Sequence, residues 1–287
     1  MEFKQPVRYN SVKIGILSDI HADMYDTVET PAQTLADVLN DTGADYVILA
    51  GDLSEDYEKT IRFIEYLTRH SKTRPVWVAG NHELWSRYHP DENTAQILAH
   101  YSDLPGFLHN QAMDLPGGWA VVGGCGWYDY SFAGTRFSYD QLEKRFYGEK
   151  TWMDSRYVYL GMSDPEFHAR QVRALYTELC RHEKQKIIFV THMVNNPHLV
   201  VPHGMPNWKK WEYFNAFLGS WELYRLTQHP SVRYAVCGHV HFRRNIVENE
   251  RTYYCRCLGS CSEFVKFGGE QDLKSQMRDA LEILELA

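Results

Sequence analysis

The sequence predicts an α/β layered fold, and two observations carry that expectation. Short apolar runs rich in Val, Ile and aromatic residues recur along the chain, most of them continuous rather than alternating, as strands covered on both faces require. Between them lie segments whose apolar residues return with a helical period. Strand alternating with helix is the pattern of sheets layered with helices.

The elements follow in order. VKIGILSD (12–19) reads as the first strand, and the helical stretch TPAQTLADVLNDTG after it ends on Gly43, a residue suited to the left-handed conformation at a helix C-terminus. ADYVILAGD (44–52) is the second strand and EDYEKTIRFIEYLTRH the second helix. RPVWVAGN (74–81), the helical DENTAQILAHYSD and the strand WAVVGGCGW (119–127) continue the alternation. A long helix, DPEFHARQVRALYTELCRHEKQ, opens with Asp164 as an N-cap and Pro165 at its first position. KIIFVTH (186–192), VRYAVCGH (232–239) and TYYCRCLG (252–259) complete the strands.

A chain of 287 residues, 44% hydrophobic and 23% charged, can bury a sizeable core. We read it as one domain spanning 1–287, with an aromatic-rich insertion at about 126–163 that resembles a small cap or long loop; the competing reading is that its aromatics cover a sheet. The beginning shows no apolar signal region, and no run approaches the roughly 20 apolar residues of a membrane span, so a cytoplasmic protein without membrane contact is expected. The six cysteines form no CxxC pair and mostly sit in apolar runs, where a reduced thiol packs as a small hydrophobe; Cys255, Cys257 and Cys261 lack a fourth ligand at zinc-site spacing. A net charge of −7 without a basic run opposes general nucleic-acid binding. An anionic substrate would need local cations to reverse that field.

The chemistry lies where the strands end. Asp19 and His21 follow the first strand, Asp52 the second, Asn81 and His82 the third; His192 and the pair His239 and His241 follow two later ones. An isolated HxH is more often two solvated loop histidines. Here, however, five strands deliver metal-ligand residue types to the carboxyl edge, where open α/β sheets bind ligands. Two divalent cations could clamp a phosphoryl group and activate a water for in-line attack, with Asp52 as the carboxylate bridging them. So much imidazole points to two transition metals, with manganese or iron favoured and zinc, cobalt or nickel as alternatives.

The motifs DIH, GD, GNHE, TH and GHVH, spread over residues 19–241, resemble the signature of calcineurin-like metallophosphoesterases. That resemblance implies a two-sheet β-sandwich flanked by helices with a dinuclear centre at one end. It implies that one metal takes Asp19, His21, Asp52 and His241, that the other takes Asp52, Asn81, His192 and His239, and that His82 faces the substrate phosphate as the acid. The pattern departs from two subfamilies. GDLSED puts Glu55 and Asp56 where Ser/Thr phosphatases carry Asp-Arg, and Glu55 where purple acid phosphatases carry Tyr. Glu55 could instead orient His82, or simply open a helix.

The expected function is hydrolysis of a phosphodiester or small organophosphate by a metal-activated hydroxide. The alternatives are a phosphomonoesterase or nuclease of the same superfamily, or a non-catalytic scaffold that keeps the fold. Trp127 and Tyr128 offer flat surfaces and Arg136, Arg145 and Arg156 offer cations, so these five are candidate substrate contacts. The physiological substrate and the oligomeric state are not specified by the residues.

Overall fold

A computed structural model describes residues 11–286. The chain runs β1 (Val12–Leu17), α1 (Glu29–Thr42), β2 (Tyr46–Leu49), α2 (Tyr57–His70), β3 (Arg74–Trp77) and α3 (Thr94–Ala99), then the hairpin β4 (Gln111–Leu115) and β5 (Trp119–Gly124). The aromatic segment contributes α4 (Tyr139–Glu143), the small hairpin β6 (Phe146–Tyr147) and β7 (Lys150–Thr151), and α5 (Asp154–Tyr157). There follow α6 (Asp164–Arg181), β8 (Lys186–Thr191), α7 (Trp208–Phe214), α8 (Trp221–Thr227), β9 (Val232–Cys237), β10 (Arg243–Glu248), β11 (Arg251–Arg256), α9 (Phe264–Phe267), α10 (Leu273–Ala280) and β12 (Glu282–Leu286).

Apart from the small β6–β7 hairpin, the described strands form two mixed sheets. One has the order β12-β1-β2-β3, with β1, β2 and β3 parallel and β12 antiparallel at the edge. The other has the order β10-β11-β9-β8-β5-β4, parallel through its four central strands and antiparallel at both edges. The sheets pack face to face. Val12, Ile14, Ile16, Ile48 and Val76 from the first meet Val121, Ile188, Val190 and Val236 from the second. Each such side chain contributes about 1.5–3 kcal/mol when fully buried.

The outer faces are covered as well, which is why the strand sequences lack alternation. Val47, Leu49 and Trp77 pack under α1, α2 and α10 through Leu35, Leu39, Phe63, Leu67 and Met277. Val122, Ile187 and Phe189 pack under α6 through Leu175 and Leu179. Gly43 takes φ 67° at the C-terminus of α1, as its place in the sequence suggests. The cap of α6 lies one residue earlier than expected. Ser163 receives the Glu166 N–H and Asp164 is the first helical residue, which frees the Asp164 carboxylate for the contacts described below.

Five short strands (β4, β6, β7, β10 and β12) and several short helices were not legible as elements. β10 is an edge strand with Val247 78% exposed, so it needs no apolar face. β12 alternates the exposed Ile283 and Glu285 with the buried Leu284 and Leu286 against β1, a pattern too short to separate from the helix before it. Cys255 and Cys257 are buried side by side, whereas Cys180 and Cys261 are exposed. No described helix is long and apolar enough to cross a membrane.

Candidate metal centre

The carboxyl ends of five strands from both sheets meet at one end of the sandwich. After β1 the backbone turns through Asp19 and His21, after β2 through Asp52, and after β9 through His239 and His241. All five of these residues hold left-handed backbone angles, φ 54°, 49°, 54°, 73° and 50° respectively. Non-glycine residues in that region are strained, and such strain gathers at functional sites. Backbone hydrogen bonds lock the turns together: Asp19 N–H donates to Gly51, His21 N–H to Asp52, and Gly238 N–H to His192, each at 3.0 Å. Glycine is required at two points. Gly51 has φ 86°, and a Cβ on Gly238 would stand 2.5 Å from the Asp19 carboxylate.

The side chains then converge. Ligand atoms of Asp19, His21 and His241 lie within 4.8 Å of one another, and so do those of Asp52, His192 and His239 and those of His21, Asp52 and His82. Asp52 thus belongs to a cluster on either side. Neighbouring acceptors fix the imidazole tautomers. His192 Nδ1 donates to the Ala50 carbonyl at 2.8 Å and His239 Nε2 to the Phe217 carbonyl at 3.2 Å, because a carbonyl can only accept. His241 Nδ1 lies 2.5 Å from the Glu263 carboxylate. Such partners turn the remaining nitrogen of each ring toward the centre.

The consequence is a crowd of lone pairs. His192 Nε2 stands 3.2 Å from His239 Nδ1, 3.1 Å from Asn81 Oδ1 and 3.3 Å from Asp52 Oδ2. On the other side His21 Nε2 stands 3.1 Å from His241 Nε2, which is 3.5 Å from Asp19 Oδ1. Acceptors gathered in this way, with their hydrogens committed outward, fit a cation between them. The donor set therefore suits the two metals its sequence suggests.

In the metal-free protein the charges of the centre balance among the ligands themselves, with a proton held on His192 that a cation would displace. Burial opposes ionisation of Asp52, but His192 and His82 hold its carboxyl well below the usual range. Burial would depress the His192 imidazole, yet Asp52 prevails and raises it to about 10. Burial lowers His239 to about 3, with His192 adding to the effect. His82 is lowered by burial to about 4 against the pull of Asp52. Its ring stacks on Trp85 at 3.9 Å between centroids and keeps 21% side-chain exposure at the rim.

Two residues the motif reading left without a role are central here. Glu83, 1% exposed, accepts the backbone N–H groups of Asp52, Leu53, Ser54 and Gly80 at 2.6–2.9 Å and so shapes the loop that presents Asp52. Burial and the nearby Asp52 push its carboxyl up to about 7. Its position inside GNHE was the available signal. Glu263 orients His241, and only its place in a Ser260 to Glu263 capping box marked it in the sequence.

The geometry corrects the readings of Glu55, Trp127 and Tyr128 and places the three arginines. Glu55 does not meet His82; its carboxylate receives Arg87 at 2.9 Å and Tyr88 at 2.9 Å. Trp127 and Tyr128 are fully buried, donating to Asp164 and Asp154, so neither presents a face to a ligand. Arg145 is half-buried and donates to Asp164, and Arg136 pairs with Glu212 at 3.3 Å. Arg156 is exposed on α5. The aromatics of the segment mostly cover the second sheet with Tyr213, Phe214 and Phe217. Trp152 is the exception, lying edge-on to His239 at 5.6 Å.

Comparison with known proteins gives the same picture. Among solved structures the chain is similar to phosphopantetheinyl hydrolase (PptH) from Mycobacterium tuberculosis, with 17% identity, a TM-score of 0.74 and 96% of each chain covered. It is also similar to the protein TT1561 of Thermus thermophilus, with 14% identity, a TM-score of 0.52 and coverage of 96% of this chain and 99% of that one. At these identities the likeness is one of fold. No curated protein matches the sequence. The family model for calcineurin-like phosphoesterases matches residues 12–243, which includes every strand end described above, and the chain belongs to that family.

Proposed function

We propose that the protein is a dinuclear metal-dependent hydrolase acting on a phosphodiester or other small organophosphate. The observation that carries the reading is the inward-facing set of acceptors from Asp19, His21, Asp52, Asn81, His192, His239 and His241, with His82 at its rim. Two bound cations would polarise the phosphoryl oxygens and supply the nucleophile from water. Asp19, His21 and His241 would hold one and Asn81, His192 and His239 the other, with Asp52 between them. Asp52 also accepts the His82 backbone N–H at 3.0 Å, which ties the rim imidazole to the centre. Burial keeps His82 neutral in the free protein; to act as the acid it would take up a proton beside the anionic ester, whose charge favours the imidazolium, and pass that proton to the leaving oxygen, returning to neutral imidazole. The whole chain is read as one domain.

The preference for a diester rests on the charge around the rim. A monoester near neutral pH is largely a dianion and calls for cationic side chains beyond the metals. Four arginines are engaged elsewhere, Arg87 with Glu55, Arg145 with Asp164, Arg136 with Glu212 and Arg243 with Asp279, which leaves the exposed Arg156 of the aromatic segment as the cation a monoester would call on. A diester carries one negative charge and makes no such demand. The test is kcat/KM for bis(nitrophenyl) phosphate against nitrophenyl phosphate, with Mn, Fe, Co, Zn and Ni added singly. Phosphopantetheinyl esters join the panel because the structure with the TM-score of 0.74 is that of a phosphopantetheinyl hydrolase. A clear monoester preference overturns the diesterase reading, and absence of turnover with bound metal favours the scaffold.

A further inference from the structure

The aromatic segment contains a buried carboxylate whose four partners all belong to the centre or to the aromatic layer behind it. Asp154 is 1% exposed. Its Oδ1 accepts Asn81 Nδ2 at 2.9 Å and Trp85 Nε1 at 2.7 Å. Its Oδ2 accepts Trp152 Nε1 at 2.8 Å and Tyr128 Oη at 3.1 Å. A carboxylate offers about four lone-pair sites, so these donors saturate it.

The Asn81 contact decides an orientation. A primary amide has an oxygen and a nitrogen of nearly equal size, and packing alone does not choose between them. A carboxylate accepts and cannot donate, so it draws the amide nitrogen and turns Oδ1 the other way, where it stands 3.1 Å from His192 Nε2. The two indoles extend the effect. Trp85 stacks on His82 at 3.9 Å with 23° between planes, and Trp152 lies against His239 at 5.6 Å. We infer that Asp154 is a positioning residue for the cation held by Asn81, His192 and His239, so that a segment outside the family motifs sets the geometry of one half of the centre. The inference rests on the dinuclear reading above.

The test uses the full chain, stripped with chelator and titrated with Mn²⁺ by calorimetry at pH 7. Wild-type protein binds two cations. Asp154→Asn keeps one affinity and weakens the other by about 10- to 100-fold, the usual cost of losing a ligand's supporting partner. Asn81→Asp leaves Asp154 in place, so it serves if the first variant does not fold. A second carboxylate facing Asp154 weakens the same cation at least tenfold, although a carboxylate is in itself the stronger ligand. The double variant Asn81→Asp with Asp154→Asn restores a donor and an acceptor in exchanged places for that one contact, while Trp85 Nε1 loses its acceptor, and recovers affinity in part over either single variant. Turnover of bis(nitrophenyl) phosphate follows the weakened cation in every case. Equal weakening of both cations by Asp154→Asn, tighter binding by Asn81→Asp, or no recovery in the double variant makes Asp154 a packing anchor and overturns the inference. Wild-type protein binding fewer than two cations overturns the dinuclear reading itself, and this inference with it.

Discussion

The motif loops and the aromatic segment solve one problem in opposite ways. Each is organised around a buried carboxylate with four donors, Glu83 in the loops and Asp154 in the segment. Glu83 receives backbone N–H groups only, and therefore fixes the path of the chain whatever side chains it carries. Asp154 receives side chains only, one amide, two indoles and a phenol, and therefore fixes which atoms face the centre. A second anchor, Asp164, repeats the pattern by gathering Trp127, Tyr130 and Arg145. On the reading proposed above, the loops hold the ligand positions and Asp154 in the segment holds their orientation from behind.

The largest test of this division is Asp52→Ala, which removes the carboxylate shared by both clusters. Both cations should be lost and turnover should fall to background, whereas Asn81→Ala empties one position; metal analysis of the purified variants reads this directly. Two full equivalents retained by Asp52→Ala would break the assignment. Next is His82→Ala. It should keep its metals and lose about 10²- to 10⁴-fold in rate, with the smaller loss on esters with good leaving groups. Equal losses on nitrophenyl and alkyl esters would remove the acid role.

Glu83→Gln tests the loop side of the comparison by placing an amide NH₂ among backbone donors. Leaving at least one buried N–H without a partner should cost about 1–3 kcal/mol, seen in urea unfolding of the metal-free protein. A change below about 0.5 kcal/mol would mean the loop holds its own shape. A smaller effect concerns protons. His192 is raised from 6.5 to about 10, so its imidazolium stabilises the metal-free fold fully below pH 6.5 and that contribution is lost as pH rises toward 10. A cation must displace that proton at pH 7, so affinity at this position should rise about tenfold per pH unit. Calorimetry in buffers of different ionisation enthalpy measures the release, and binding independent of pH would contradict it. The smallest effect is expected from Arg136→Ala. Its pair with Glu212 is 53% exposed on the arginine side, so relative rates across the substrate panel should move less than about twofold. A larger shift would return the segment to direct substrate contact.

Much of the centre was legible in the sequence because its parts are local. Strands buried on both faces announce themselves as continuous apolar runs, and the ligand types sit within four residues of each run's end, from Asp19 and His21 to His239 and His241. Covalent connectivity carries that information. Edge strands such as β10 and β12 were silent, because half their surface faces water and places little demand on composition.

Partnership over long separations was decided by the tertiary structure alone. Glu55 was within reach of His82 on paper, but Arg87 and Tyr88 offered it charge and a hydroxyl nearer at hand. Trp127 and Tyr128 have the composition of a binding surface, and became interior because two buried aspartates satisfy their donors, while the half-buried Arg145 is held by one of the same aspartates. Asp154 and Asn81 are 73 residues apart and no motif joins them. Residue types determine what a side chain can donate, accept or bury. Which partner it meets depends on chain segments that only folding brings within 3 Å, and for this protein that choice separates the residues that could bind cations from those that orient them.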